Sequence, residues 1–147
     1  MTEIIGNHDE AEAIGIVLAS WAAALGGKDA AGVVEHLSDD IVSFTLAAPL
    51  AHKGKGAGGL ESWFSTWDGP IGGDAVDVRL TVGGAVAFWT GLVHMTGRKI
   101  DGLQVDLWFR QTIGLRKEAG IWKIVHEHTS VPFAMDGSGL AELELKP

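Results

Sequence analysis

Two histidines, His126 and His128, lie at the centre of the run WKIVHEHTSVPF, residues 122–133. On a β-strand, residues two apart point to the same face, so this pair could move a proton, bind an anion or ligate a metal. A zinc site would need a third ligand, for which Asp106 and His94 are the candidates, and no second spaced pair is visible. The spacing therefore favours an acid–base role over a metal site. A structural hydrogen-bonding role for at least one of the two histidines stays open.

Arg110 lies in the middle of an otherwise apolar segment. A guanidinium group there must be paired or must face a wet cavity. It could anchor a carboxylate, phenolate or enolate of a ligand, or form a salt bridge with Asp106 or Glu127, and these roles are compatible. Asp106 could orient His128 or Arg110, act as a base if desolvation raised its pKa, or simply begin a solvated strand. Asp40 is open to a pocket role or a turn role in the same way.

The composition excludes several classes of protein. The chain has 147 residues, of which 46% are hydrophobic and 20% charged, which is typical of a single globular domain, residues 1–147. A net charge of −8 without a Lys/Arg cluster argues against nucleic acid or an anionic membrane as partners. No cysteine is present, which excludes disulfides, thiolate zinc and cysteine nucleophiles. No signal peptide or membrane-spanning run is visible, so we expect a cytoplasmic protein.

The hydrophobic pattern predicts helices first and strands second. Residues 8–25 form a helical stripe capped by Asn7, a short helix follows Asp29, and a third stripe carries Leu60, Trp63, Phe64 and Trp67. A strand over residues 41–47 lies between the second and third helices. From residue 76 the period changes to two, which predicts an antiparallel meander with strands near residues 76–82, 85–98, 103–117 and 121–131. This order predicts an α+β fold with the helices on one face of a curved sheet.

The last hairpin turn determines which side chains share a face. If Glu118, Ala119 and Gly120 form a three-residue loop, Lys117 pairs with Ile121. One face then carries Asp106, Trp108, Arg110, Thr112, His126, His128 and Ser130. A four-residue loop would shift the pairing by one residue and move Arg110 away from the histidines. We favour the first register, which leaves Leu107, Phe109, Ile113 and Leu115 as an apolar strip on the outer face of the sheet, a candidate dimer interface.

The run WFRQTIGLRKEAGIWKIVHEHTSVPF, residues 108–133, resembles the C-terminal hairpin of SnoaL-like domains in the nuclear transport factor 2-like superfamily. The matching positions are Arg110, Thr112, Gly120, Trp122, His126, His128 and Ser130. The association domain of calcium/calmodulin-dependent kinase carries a similar Trp-x-Ile-Val-His-x-His run. The resemblance covers nearly the whole chain. It implies a cone-shaped, curved antiparallel sheet wrapped around three N-terminal helices, a cystatin-like roll, and usually a homodimer.

The resemblance also implies a deep pocket between the helices and the sheet, with Arg110 and His128 inside it and His126 and Ser130 nearby. Ketosteroid isomerases of the same superfamily carry a general-base Asp on the first strand, where this chain has Thr45. The familiar isomerase route is therefore not expected. The superfold hosts isomerases, dehydratases, cyclases, assembly domains and non-enzymes, so it does not fix the activity.

We therefore predict a homodimer that binds a small hydrophobic molecule with a carbonyl or acidic group, without a cofactor. As an enzyme of the isomerase, cyclase or dehydratase type, it would use His128, with His126, to move a proton, Arg110 to stabilise a negative oxygen, and Asp106 to assist. The predicted pocket residues are Trp21, Trp63, Trp67, Trp108, Thr112, Ser130 and Asp40. The alternatives are a non-catalytic ligand-binding or assembly module and, less favoured, a His-ligated metal enzyme.

Overall fold

The computed structural model describes all 147 residues, apart from the side chain of Ala57. The predicted α+β class is confirmed: three N-terminal helices pack on one curved, unclosed sheet. The elements in chain order are β1 (Glu3–Gly6), α1 (His8–Gly26), α2 (Ala30–Glu35), β2 (Leu37–Phe44), β3 (His52–Lys53), α3 (Ala57–Phe64), β4 (Gly72–Gly83), β5 (Val86–Arg98), β6 (Gln104–Glu118) and β7 (Ile121–Ser130).

The first two helices begin at side-chain caps. The Asn7 side chain accepts a hydrogen bond of 3.0 Å from the backbone N–H of Glu10, and Asp29 accepts one of 3.0 Å from Gly32. Each cap satisfies a backbone donor that the first helical turn leaves unpaired. The two helix starts that the sequence predicts are therefore confirmed. None of the helices in the described part of the chain is both long and apolar enough to cross a membrane.

The seven strands form one sheet in the order β1-β4-β5-β6-β7-β2-β3. Strands β4 to β7 form the predicted antiparallel meander. Strand β2 joins it by pairing parallel to β7, and β1 pairs parallel to β4 at the other side of the sheet. The sequence pattern missed β1, because a four-residue strand is too short to display a clear alternation.

The turn between β6 and β7 is tighter than predicted. Ala119 and Gly120 have φ angles of 49° and 82°, as a two-residue type I′ turn requires, so Glu118 rather than Lys117 pairs with Ile121. The three-residue loop is therefore wrong. The register shifts again farther along, where Leu115 pairs with Ile124 but Gly114 pairs with His126. Val125 is the extra residue of this β-bulge.

The bulge keeps the predicted set of residues on one face. Beyond it, Thr112 pairs with His128 and Arg110 pairs with Ser130, each two residues away from the predicted partner. Because the side-chain period of a strand is also two, Arg110 and both histidines still share a face. That part of the prediction is confirmed.

Arg110, His126 and His128 lie on the side of the sheet opposite to the predicted pocket side. We call the side on which the helices pack the inner face; its buried side chains include Leu80, Val82, Ala87, Ile113, Leu115, Trp122 and Ile124. The other side, the outer face, carries Phe88, Arg110, Thr112, His126 and His128. The predicted outer strip of Leu107, Phe109, Ile113 and Leu115 is therefore on the inner face. The helices need the more continuous apolar surface to bury their own apolar side chains.

Candidate functional site

A cavity of about 440 Å³ lies between α1 and the inner faces of β4, β5 and β6, within the size range of small-molecule sites. Its wall is mainly aromatic and aliphatic. The side chains that matter below are Leu18, Trp21, Trp63, Trp89, Phe109 and Gln111. Trp21 and Trp63, two of the predicted pocket residues, are therefore among those that line it.

The most unusual group in this wall is the indole N–H of Trp21. Trp21 is 6% exposed, and its Nε1 atom has no hydrogen-bond partner among the described residues. Leaving a buried donor unpaired costs about 1–3 kcal/mol. Gln111 contributes an amide to the same wall. The cavity therefore combines a large apolar surface with the amide of Gln111, whereas the Trp21 N–H itself is covered by neighbouring atoms of the wall.

The cavity wall is almost free of charge. Within the part of the chain that the structure describes, no Lys, Arg or His lines it, and Asp74 is the one acidic residue among the lining residues. Asp74 pairs with His94 across β4 and β5, whereas the flanking Gly73 and Ala75 pair with the lining residues Met95 and Val93. Alternation therefore directs the Asp74 side chain to the outer face, where His94 lies.

The predicted catalytic histidines lie on the outer face. The Phe44 ring packs edge-on against both imidazoles, with centroid distances of 4.9 Å to His126 and 5.3 Å to His128. Nδ1 of His126 donates to the Val42 carbonyl at 2.6 Å, which fixes its tautomer because a carbonyl only accepts. Their expected place in the cavity is therefore wrong. His126 has the structural hydrogen bond that the sequence left open.

Arg110 and Asp106 are also outside the cavity. The Arg110 Nε atom donates to Ser130 Oγ at 3.1 Å, so the expected anion anchor inside the pocket is wrong. The Asp106 carboxylate contacts His94 Nε2 at 2.6 Å, and this hydrogen bond lowers the pKa of Asp106. Desolvation raises this pKa by less than the hydrogen bond lowers it, so the net shift is opposite to the one expected for a base. The His94 ring stacks on Trp108 at 4.4 Å.

The remaining predicted pocket residues do not line the cavity: Trp67, Trp108, Thr112, Ser130 and Asp40. Trp108, Thr112 and Ser130 share the outer face with Arg110. Asp40 forms a salt bridge of 2.9 Å with Arg116 and accepts a hydrogen bond from Ser38, which together lower its pKa. Trp67 is buried beneath Lys99, whose Nζ atom lies 3.9 Å from the ring centroid.

The sequence reading missed Glu127 as an inner-face residue. It pairs with Ile113 of β6 and with Ser43 of β2, so its side chain lies on the inner face between them. Burial raises the pKa of the Glu127 carboxyl to about 7, and no hydrogen bond or neighbouring charge contributes to the shift. A carboxyl placed between buried apolar residues is the signal that could have found it. In the described residues, no three His, Asp or Glu side chains stand close enough to hold a metal ion.

Replacing Glu127 tests this burial. The carboxyl has a higher pKa in the folded state than its ordinary value of 4.5. The folded state therefore loses stability as the pH rises from about 4.5 through about 7, by about 3 kcal/mol in total. We expect Glu127→Gln to match the wild type in urea unfolding at pH 4 and to exceed it by up to that amount at pH 8. Glu12→Gln, at an exposed position of α1, is the control and should have the stability of the wild type at both pH values. Equal stability of Glu127→Gln and wild type at pH 8 would contradict the assignment.

The fold and the sequence both match known proteins. The family model of the SnoaL-like domain matches residues 14–134, whereas no curated protein matches the chain. An NTF2-like protein of unknown function from Pseudomonas putida KT2440 superposes with a TM-score of 0.85 at 28% identity, covering 97% of this chain and 99% of that one.

Two further solved structures are similar in fold. A putative dehydratase of the NTF2-like family from Streptomyces avermitilis has a TM-score of 0.74 at 16% identity, covering 86% of this chain and 98% of that one. A ketosteroid isomerase-like protein from Erwinia carotovora atroseptica SCRI1043 has a TM-score of 0.72 at 23% identity, covering 84% and 97%. At these identities the likeness shows the fold alone. The family match and the fold together establish that the chain belongs to the SnoaL-like domain family.

Proposed function

We propose that the protein binds a small, largely apolar organic molecule in the cavity between α1 and the inner face of the sheet. The observation that carries this proposal is the cavity of about 440 Å³ with an aromatic wall and the amide of Gln111. An apolar wall with a few oriented polar groups is the usual composition of a small-molecule site.

The polar groups of the wall favour a ligand with a hydrogen-bond acceptor. The indole of Trp21 can only donate, and the amide of Gln111 can donate as well as accept. A carbonyl oxygen directed at these two residues would accept from Gln111 and, once the Trp21 ring turns its N–H toward the cavity, from the donor that the described residues leave unpaired. The unpaired indole thus favours a carbonyl compound over a plain hydrocarbon of the same shape.

We propose binding rather than turnover as the function of this cavity. The groups that would move a proton or stabilise an anion, His126, His128 and Arg110, are on the opposite side of the sheet. Position 45, where ketosteroid isomerases carry their base, is a threonine whose hydroxyl donates to the Ala47 carbonyl. These positions favour the non-catalytic alternative that the sequence left open.

We also propose that two copies associate through the outer face. Exposed apolar side chains lie on that face, including Val76, Val86, Phe88 and Phe44, with exposed fractions from 36% to 61%. The face also carries hydrogen-bonding groups that can pair across a two-fold axis, such as Arg110 and His128. A grouped set of exposed apolar side chains favours a contact surface over a solvated one.

Filling the cavity tests the proposed binding. Gly73 lines the cavity, and a Cβ built there meets nothing within 4 Å, so Gly73→Phe places a ring in open space. A thermal-shift panel of aromatic polyketide-like ketones, steroids, carboxylates and divalent metals should include an organic ligand that stabilises the wild type. At a hundred times its dissociation constant, that ligand adds about 2.7 kcal/mol.

The Gly73→Phe variant should lose that stabilisation while it keeps its fold. Gly83→Phe is the matched control, because Gly83 is in the same strand, is equally open and lies outside the cavity. Stabilisation that survives Gly73→Phe would place the ligand elsewhere and would refute the proposed site.

The hydrogen bond from Trp21 can be tested separately. Trp21→Phe removes the N–H but keeps an aromatic ring, so it should weaken binding of 2-acetylnaphthalene by about tenfold, the value of one hydrogen bond. Binding of 2-isopropylnaphthalene, which has no acceptor, should change far less. Trp67→Phe is the control, because Trp67 also has a buried, unpaired Nε1 atom but does not line the cavity. Isothermal titration calorimetry measures both affinities, and equal losses for the two compounds would contradict the hydrogen bond.

The proposed dimer has a direct test. Phe88→Glu places a charge among the exposed apolar side chains of the outer face. We therefore expect a dimer of the wild type to become a monomer in size-exclusion chromatography with light scattering. Ile16→Glu is the control, since Ile16 is an exposed apolar residue of α1 and not of the sheet. A monomeric wild type at tens of micromolar would rule the association out.

A further inference from the structure

Glu127 lies next to the cavity wall, although it is not one of its lining residues. Its register partner on β6 is Ile113, which lines the cavity and is 2% exposed. Directly paired residues on neighbouring strands have Cα atoms about 5 Å apart and point the same way. Gln111, two residues before Ile113, is the diagonal neighbour of Glu127 on the same face. The carboxyl therefore stands beside the polar part of the wall.

The residues that the structure describes supply no counter-charge for this carboxyl. On β6 its inner-face neighbours are Gln111, Ile113 and Leu115, and on β2 they are Ile41 and Ser43. Other titratable groups on the elements around it include His52, which pairs with Ser43, the pair Lys117 and Glu10 at the hairpin end, and Glu61 on the exposed part of α3. Arg110, His126 and His128 lie on the outer face of the same strands. None of them contributes to the raised pKa of about 7, which burial alone causes.

The aromatic wall of the cavity is also suited to a ligand that carries a positive charge. Four aromatic rings line it, those of Trp21, Trp63, Trp89 and Phe109, and the described lining residues include no cationic side chain. An ammonium group is attracted to the faces of such rings. A bound carboxylate would find no cation in the wall and would lie near Glu127, whereas a bound amine would give Glu127 the partner that it lacks.

We propose that the molecule bound in this cavity carries a basic nitrogen, and that its ammonium group pairs with the Glu127 carboxylate beside Ile113 and Gln111. This inference rests on the proposed binding function and specifies the class of ligand. Glu127 is then the residue that selects organic cations over organic anions. When the ammonium binds, the carboxyl proton is released to solvent and the pair forms.

Three probes with one skeleton test this selection: 2-(naphthalen-2-yl)ethylamine, the corresponding alcohol and naphthalen-2-ylacetate. At pH 8 we expect the order of affinity to be amine, alcohol, carboxylate. Between pH 5.5 and 8 the affinity of the amine should rise about 30-fold, the ratio of the ionised fractions of a carboxyl with a pKa of about 7. The affinity of the alcohol should change little. Calorimetry at pH 6 in two buffers of different ionisation enthalpy should record the release of nearly one proton for the amine.

Glu127→Gln should remove both the preference for the amine and its dependence on pH, while binding of the alcohol persists. Glu12→Gln should leave both unchanged, and Glu127→Met serves as a second variant in case the amide disturbs packing. An amine affinity that is flat or falls as the pH rises would overturn the proposal, because binding would then not release the carboxyl proton and no ion pair with Glu127 would form. If no probe binds, the proposed binding function fails; if the alcohol binds and the amine has no advantage, this inference alone fails.

Discussion

The β-bulge at Val125 decides which side chains face the helices. The two-residue turn at Ala119 and Gly120 sets the pairing of Leu115 with Ile124. Continued without interruption, that pairing would put His126 opposite Ile113 and His128 opposite Gln111, on the inner face, and would turn Glu127 outward. One extra residue reverses all three positions. The bulge lets Trp122 and Ile124 enter the core while the following segment pairs in register with β2.

The same hairpin is tied to the helix that carries Trp21. Glu10, in the first turn of α1, accepts hydrogen bonds of 2.6 Å from Lys117 Nζ and from Trp122 Nε1. These partners stand on β6 and β7, so one carboxylate joins α1 to both strands, and they lower the pKa of Glu10. Charge-assisted hydrogen bonds of this length have defined geometry. Trp21 on α1 and Gln111 on β6 are therefore held at one cavity, next to Glu127 on β7.

The sequence was sufficient for the elements and the family, but not for the orientation of the sheet. Helical spacing and capping residues predicted α1 and α2, and the period of two predicted the meander. The grouping of Arg110 with His126 and His128 on one face was also predictable, because an error of two residues in the pairing of β6 with β7 leaves every side chain on the same face. The bulge was not, because the neighbours Ile124 and Val125 are both apolar and hide the insertion. The choice of face depended on where helices pack, which is a long-range contact that local alternation does not contain.

Two groups on the inner face lower the stability of the folded protein, and no contact within the described residues compensates for them. A buried indole N–H on Trp21 is unpaired, and the half-buried carboxyl of Glu127 has no hydrogen bond or salt bridge among the described residues, while burial raises its pKa to about 7. Trp67 shows that an unpaired indole is not by itself a sign of function, because its N–H is also unpaired and lies away from the cavity. What distinguishes Trp21 and Glu127 is that they come from different elements and border one cavity: Trp21 lines it, and Glu127 pairs with the lining residue Ile113. Destabilising polar groups that lie together at a cavity are typical of a binding site, where a ligand provides their hydrogen-bonding or charged partners. A polar molecule bound there would satisfy both groups together, which a purely structural role leaves unexplained.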